Sequence, residues 1–366
     1  MGRIQTLKRI VEKVEHRLRE RTIPHALLPQ LVFGQQHIYT QSFFAERFGQ
    51  YHTIPLSELP HYLFLRDHLD EPYSDHIYSQ YLACSWAYYY GDEKNTEAAR
   101  RGKIDSYLAL YDAIRSRQHL GEKAIEQPVV VCERPDGRLI IQDGNHRASI
   151  ALNLGLDLRA LFISPAQFIA KVTNVPTEFY GTKRLNRPYQ SIFLGGKEII
   201  QGRRRDTYER MQRIRPEDLR QKRVIDLGCN FGMSSYIASE LGAADVVGVD
   251  ANPKIISAAV RLNALYRAPV TFRLHDLNEA LDDVEPADTV FCFSLLDHLK
   301  SKEGILATLN RVVGDVLYLE GHARTTQDDY AYVWDACKFS QVELVGYGSD
   351  GVHTNTRTRP LFRCRR

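Results

Sequence analysis

The feature that most constrains this chain is a short apolar run, Val224-Ile225-Asp226-Leu227, that breaks straight into Gly228-Cys229-Asn230-Phe231-Gly232. Such a run predicts a strand, and the stretch from about Met233 to Leu241 predicts a helix. A glycine turn between the two brings backbone N–H groups against a ligand lying across the strand ends. A second run, Val246-Val247-Gly248-Val249, ends at Asp250, roughly 20 residues on, where a carboxylate can accept hydrogen bonds from both hydroxyls of a ribose. After a third run, Val270 to Leu274, comes His275-Asp276-Leu277, and Asp276 is placed to accept from the exocyclic amine of an adenine. Any one of these acids also suits a helix cap. Three at consecutive strand ends point to a nucleoside instead.

A nicotinamide fingerprint wants glycine at 230 and 233, where this chain has Asn230 and Met233. Asp226 is a poor neighbour for a diphosphate but suits the ammonium of a zwitterionic amino acid. These residues resemble the class I S-adenosylmethionine-dependent methyltransferases over about 140 residues. The resemblance implies a Rossmann-like parallel sheet with helices on both faces and S-adenosylmethionine as cofactor. It gives the methionine end to Asp226, Gly228 and Gly232 with Cys229 and Asn230 in the turn, the ribose to Asp250 with Ala251, and the adenine to Asp276 and Leu277.

The fourth strand, Thr289 to Phe293, leads into Ser294-Leu295-Leu296-Asp297-His298. In a methyltransferase of this class that strand end, Phe293 included, faces the sulfonium and the acceptor. No Asn- or Asp-Pro-Pro-aromatic segment stands there to grip a flipped base, and no Pro-Cys dipeptide supplies a nucleophile for cytosine. The acceptor expected is a hydroxyl, phosphate, carboxylate or amine on something other than a DNA base. His298 is the first choice for general base, since an imidazole can take a hydroxyl proton near neutral pH. Asp297 orients it or takes the role itself, and His322, beyond the strand Val316 to Glu320, is the reserve. The competing reading makes Asp297 and His298 the start and cap of the next helix. Upstream, Tyr189-Gln190 resembles segments that fold over the cofactor in methyltransferases of polysaccharides and tRNA. The layout from there to Arg359-Pro360-Leu361-Phe362 is similar to the polysaccharide-associated branch, which includes chain-capping kinase–methyltransferases. That resemblance implies a glycan or another small-molecule acceptor, phosphorylated in the coupled version.

In the first half, Pro128 to Cys132 and Leu139 to Gln142, joined through Asp136-Gly137, predict a β-hairpin. The second strand runs into Asp143-Gly144-Asn145-His146-Arg147 at a helix start, an arrangement that offers N–H groups, a helix dipole and a guanidinium to a phosphate. The alternative is structural, with Asp143 as N-cap and Arg147 in a salt bridge. With Tyr51-His52-Thr53-Ile54-Pro55-Leu56-Ser57-Glu58-Leu59 before it, this segment resembles the ParB/sulfiredoxin-like superfamily, over roughly residues 50 to 165 with a helical insertion between about 61 and 120. The resemblance implies an α+β fold, a nucleotide at Gly144, Asn145, His146 and Arg147, and, as in kinase members, ATP with Mg and a role for Glu58. Sulfiredoxins have cysteine where Asn145 stands, so sulfinate reduction is not expected. The insertion holds Tyr78, Tyr81, Trp86, Tyr88, Tyr89 and Tyr90, a cluster that either stacks on sugar rings or fills a helix core.

These patterns divide the chain into 1–165, a basic connector over 166–220, and 221–366. The net charge of +3 is too small to argue for nucleic acid by itself. Arg203-Arg204-Arg205 is the main support for the alternative in which a non-catalytic first module delivers a methyltransferase to nucleic acid. Six scattered cysteines without CxxC spacing suit a reducing compartment and no metal site, and no apolar run nears the length of a membrane span, so a cytoplasmic protein is expected. Ile4, Leu7, Val11, Val14 and Leu18 recur at helical spacing among Arg and Lys, which predicts an amphipathic helix over the first 25 residues. It either docks on its own domain or touches an anionic membrane surface peripherally.

Overall fold

Runs of valine, isoleucine and leucine that cannot stay in water set the architecture: they form two separate sheets, each with its own core. The computed structural model describes residues 20–48, 53–119, 125–173, 188–266, 268, 270–323, 325–349 and 358–366. The chain divides into two units, Met1–Phe168 and Ile169–Arg366. The predicted amphipathic helix falls mostly on residues 1–19, and Tyr51, His52 and the Lys183–Arg187 part of the connector also lie outside the described residues.

In the first unit a five-stranded mixed sheet has the order β1-β5-β3-β4-β2, from Glu20–Ile23 (β1), Val32–Phe33 (β2), Val129–Glu133 (β3), Leu139–Asp143 (β4) and Leu158–Ile163 (β5). β1 corrects the expected helix at its C-terminal end. Glu20 to Ile23 pair antiparallel with Leu161 to Leu158, and that ladder with β-branched Thr22 and Ile23 wins over the helical period. The predicted hairpin is β3 and β4, antiparallel, with Gly137 at φ +82° in its turn. The expected insertion is three helices, Pro60–Asp67, Ile77–Tyr90 and Glu97–His119, packed on the core that Phe33, Phe44, Phe64 and Tyr107 help to fill.

In the second unit a seven-stranded sheet has the order β10-β9-β8-β11-β12-β14-β13. Its strands are Arg223–Leu227 (β8), Asp245–Asp250 (β9), Val270–Leu274 (β10), Ala287–Phe293 (β11), Val313–Glu320 (β12), Gln341–Ser349 (β13) and Thr358–Arg365 (β14). β8 to β12 are mutually parallel, and the last two strands close the edge antiparallel. From β8 the chain winds outward through β9 and β10, then crosses back to β11 and β12 on the other side. The C-terminal tips of β8 and β11 therefore border the crevice where open sheets of this kind bind ligands. The connector is not a free linker. From residue 188 it is built into this unit as the hairpin Ile192–Leu194 (β6) with Lys197–Ile200 (β7) and the short helix Thr207–Met211. Among the described residues no helix is long and apolar enough to cross a membrane.

Candidate functional site

At the tip of β8 the backbone turns through positive φ at Gly228 (+74°), Asn230 (+53°) and Gly232 (+77°). Asparagine is one of the few side chains that tolerate that region, which accounts for Asn230 where glycine might be expected. Gly232 has no such latitude: a Cβ there would lie 2.6 Å from the Phe272 ring. The turn opens the helix Met233–Glu240.

Asp226 lies below this turn, 2% exposed, and its Oδ2 accepts from the Ser235 hydroxyl at 2.7 Å. Burial pushes its carboxyl up to about 6, with the Asp250 charge adding to the rise and the Ser235 hydroxyl and Arg210 guanidinium opposing it. Asp250 ends β9, accepting the Asn230 N–H at 3.0 Å and the Asn252 N–H at 2.9 Å. It is not a helix cap. Asn252 caps the helix Pro253–Tyr266, its Oδ1 accepting from the Lys254 N–H at 2.9 Å. Asp250 thus ties the end of β9 to the glycine turn, with Ala251 directly after it.

Other predicted residues sit differently. Cys229 and Leu277 are buried, Leu277 in the unit's core, so their side chains support the turn and crevice from behind. Asp276 is exposed at the end of β10, and its Oδ1 accepts from the Asn278 backbone at 3.0 Å and side chain at 2.7 Å.

Asp297 and His298 form a single 3-10 turn, Leu296–His298, and do not cap the following helix, Glu303–Val312, whose N-cap is Lys302. The His298 and His322 rings are 5.9 Å apart, nearly perpendicular. The Tyr330 hydroxyl accepts from the His322 N–H at 2.9 Å and lies 3.4 Å from Asp297 Oδ2. The tips of β11 and β12 thus bring together all three residues predicted for catalysis, with Tyr330 as a fourth that the sequence reading did not single out.

Part of the basic run that supports the nucleic-acid alternative is withdrawn from the surface, since Arg204 is 1% exposed. Its guanidinium donates to Asp206 Oδ1 at 2.8 Å, to Ser294 Oγ at 3.0 Å and to Glu320. Arg210, equally buried, donates to Glu320 Oε2 at 3.0 Å and to Ser234 Oγ at 3.1 Å, and lies 4.2 Å over the Phe293 ring. Burial alone would raise the Glu320 carboxyl, but the two guanidiniums outweigh it and hold it at about 2. This cluster binds the ends of β11 and β12 and the start of the Met233 helix to the segment carrying Tyr189 and Gln190. That segment is anchored by the Arg204 N–H donating to the Tyr189 carbonyl at 2.7 Å. Gln190 is buried beside it with Oε1 unpartnered. Arg205 does reach the surface, paired to Glu198 at 3.0 Å.

Comparison with known proteins decides what this crevice belongs to: residues 224–315 match the family described as "Methyltransferase domain". The second unit carries a methyltransferase domain. Similar curated proteins include the tRNA U34 carboxymethyltransferase of Pseudomonas aeruginosa (strain LESB58), 33% identical over 151 residues, covering 36% of this chain and 46% of that protein. The ribosomal protein L11 methyltransferase of Haemophilus influenzae is 37% identical over 120 residues, covering 31% of this chain and 39% of that protein. The chain spans less than half the length of either. Among solved structures, WbdD is 21% identical with a TM-score of 0.39, covering 50% of this chain and 45% of that one. The N-terminal domain of EvdMO1, crystallised in the presence of S-adenosylhomocysteine (SAH) and D-fucose, is 15% identical with a TM-score of 0.37, covering 48% of this chain and 89% of that one.

In the first unit, the Gly144–Arg147 motif and the aromatic insertion, read separately in the sequence, line one cavity of about 370 Å³. Gly144, at φ +99°, is the N-cap of the helix Asn145–Leu154, so Asp143 is not. Arg147 donates to the carbonyls of Gln127 and Pro128 at 3.0 and 3.1 Å and to Asp143 Oδ2 at 3.3 Å. Arg147 is thus in the salt bridge that the structural alternative gives it. His146 is half-buried with Nε2 2.8 Å from the Tyr78 hydroxyl, and desolvation, helped by Lys103 and Arg147, pushes its imidazole down to about 3. Glu58 does not reach this cavity: it is exposed in the 3-10 turn Leu56–Glu58, whose buried residue is Leu56. Within the aromatic cluster, Tyr78 and Tyr81 are buried and line the inner part of the cavity, Trp86, Tyr89 and Tyr90 also line it, and Tyr88 stacks on His37 at 4.3 Å.

Proposed function

We propose that this chain is an S-adenosylmethionine-dependent O-methyltransferase whose acceptor is a glycan or a phosphorylated molecule. The observation that carries the reading is the pair of acids at adjacent strand tips across a glycine turn, Asp226 buried and Asp250 half-buried, within a methyltransferase domain. Asp226 takes the ammonium of the methionine moiety, the turn from Gly228 to Gly232 lies along its chain, and Asp250 takes the ribose hydroxyls. Gln190, Tyr189 and Phe293 close the crevice from the connector side and from β11. Asp276 and Leu277 border the adenine.

The chemistry is an in-line displacement. An acceptor oxygen forms a bond to the methyl carbon while the carbon–sulfur bond breaks, its electron pair going to sulfur and leaving neutral SAH. A hydroxyl acceptor must lose its proton, and in this reading His298, with Asp297 and His322 near it, receives it. An anionic acceptor needs only positioning. An added kinase step would have to find its groups elsewhere than at Glu58.

A tRNA acceptor is the second reading, favoured by the curated relatives named as tRNA U34 carboxymethyltransferases. Burial of Arg204 removes much of the basic run that would have supported it. Methyl transfer from radiolabelled S-adenosylmethionine to sugar phosphates, glycans and tRNA, assayed in parallel, separates the two. Label in the sugar fraction that falls at least about a hundredfold in His298→Ala supports the first reading, a loss in the range typical of a general base. Label in tRNA alone, with steep salt dependence, replaces it with the second.

A further inference from the structure

The cavity of the first unit is lined by chemistry that a nucleotide motif alone does not explain. Its floor is uncharged. Burial holds the His61 imidazole well below its ordinary range, as it does His146, and the His146 ring lies 4.4 Å from Tyr107 and 4.7 Å from His61. Two polar atoms on this floor lack a partner although their residues are at least nine-tenths buried: Asn145 Oδ1 and His61 Nδ1. The Asn145 amide is fixed by its Nδ2, which donates to Gln35 Oε1 at 2.8 Å and leaves the oxygen as the unmet acceptor. An unmet buried acceptor is costly, and a hydroxyl-bearing ligand that reaches it would recover that cost.

Charge at the cavity is small and positive. Arg147 is taken up by two carbonyls and Asp143, which leaves Lys103 and the N-terminus of the helix Asn145–Leu154 to meet an anion. One ammonium suits one negative group and is a poor match for a polyphosphate. The outer wall is apolar and aromatic. Tyr89 and Tyr90 remain 53% and 55% exposed, and Trp86 lies 4.8 Å from Tyr90 at an interplanar angle of 38°. Tyr89 and Tyr90 are tilted by 53°. Rings splayed in this way offer a platform for one face of a saturated ring, not the parallel slot that sandwiches a planar base.

We propose that this cavity is a carbohydrate site that takes a sugar ring carrying a single anionic group, a carboxylate or a phosphate monoester. The sugar's apolar face rests on Trp86, Tyr89 and Tyr90, its hydroxyls meet Asn145 and His61, and its anionic group lies between Lys103 and the helix N-terminus. The inference stands apart from the methyl-transfer reading, since no residue of the second unit enters it.

Calorimetry and ligand-observed NMR on the full chain test it, with glucose 6-phosphate, glucuronate, glucose, AMP and ATP as probes. The charged sugars bind, and glucose binds roughly tenfold more weakly. Lys103→Ala erases that difference. Tyr90→Ala weakens every sugar by roughly three- to tenfold. Both variants keep the parent's thermal unfolding midpoint, so the result holds whether or not the second unit binds SAH. AMP or ATP binding more tightly than every sugar overturns the proposal and returns the cavity to a nucleotide. So does a folded chain that binds none of the sugars, or affinities unmoved by both substitutions.

Discussion

Asp226 is an acid whose burial has moved it to about 6, well above its ordinary 3.8, so between those values the folded chain holds a proton that the unfolded chain has released. Without a ligand this group weakens the fold as pH rises through that window. A bound ammonium reverses the sense, because only the ionised carboxylate pairs with it. SAH affinity measured by calorimetry should therefore climb as pH rises through about 6 and level off above it. Asp226→Asn should bind more weakly with a flat profile, whereas a flat profile in the parent chain would remove Asp226 from the ligand. Gly232→Ala adds strain at positive φ and a clash with Phe272, and should lower stability by about 1–3 kcal/mol with loss of SAH binding. Asp226 and Asp250 were legible in the sequence because their places follow directly from where apolar runs stop. Ser235 and Arg210 were not, since a hydroxyl on a helix and a guanidinium in a basic run gain their roles only once the fold buries them.

The element whose role was least legible is the segment from Tyr189 to Met211. Its run of arginines looked solvated, yet Arg204 and Arg210 enclose Glu320 beneath the tips of β11 and β12. A glutamate ending the apolar strand Val316 to Glu320 was the available signal, since a carboxylate at a buried tip requires a cation. Removing one partner of such a cluster costs about 3–5 kcal/mol, so Glu320→Gln should lower the unfolding free energy in denaturant by that order. A change under about 1 kcal/mol would mean the cluster is no anchor. Because its folded value is depressed to about 2, the Glu320 contribution is complete above its ordinary 4.5 and is lost as pH falls towards 2. In the first unit His146 acts in the same direction at higher pH. Its value is lowered from 6.5 to about 3, so the helix Asn145–Leu154 is stabilised by the neutral ring and loses that stability as pH falls below 6.5. Protection factors of this helix, hydrogen exchange corrected for the intrinsic base-catalysed rate, should fall between roughly pH 7 and 5. His146→Gln should flatten the change, and equal protection at both pH values in the parent chain would contradict it.

For the molecule as a whole, the strand–helix alternation after Lys222 and the hairpin before Asp143 were readable because their periods and turn residues are local. The boundary of the second unit was not readable, because the connector's place depends on contacts with strands more than 80 residues away. Methyl transfer as proposed requires that the tips of β8 and β9, with their two acids and glycine turn, hold an S-adenosyl nucleoside. Titrating SAH into the full chain by calorimetry near neutral pH tests it most directly. Saturable heat that Asp250→Ala abolishes, with the fold unchanged by circular dichroism, is the result this geometry predicts. A folded parent chain that gives no heat, or an Asp250→Ala chain that binds as well as the parent, would contradict it.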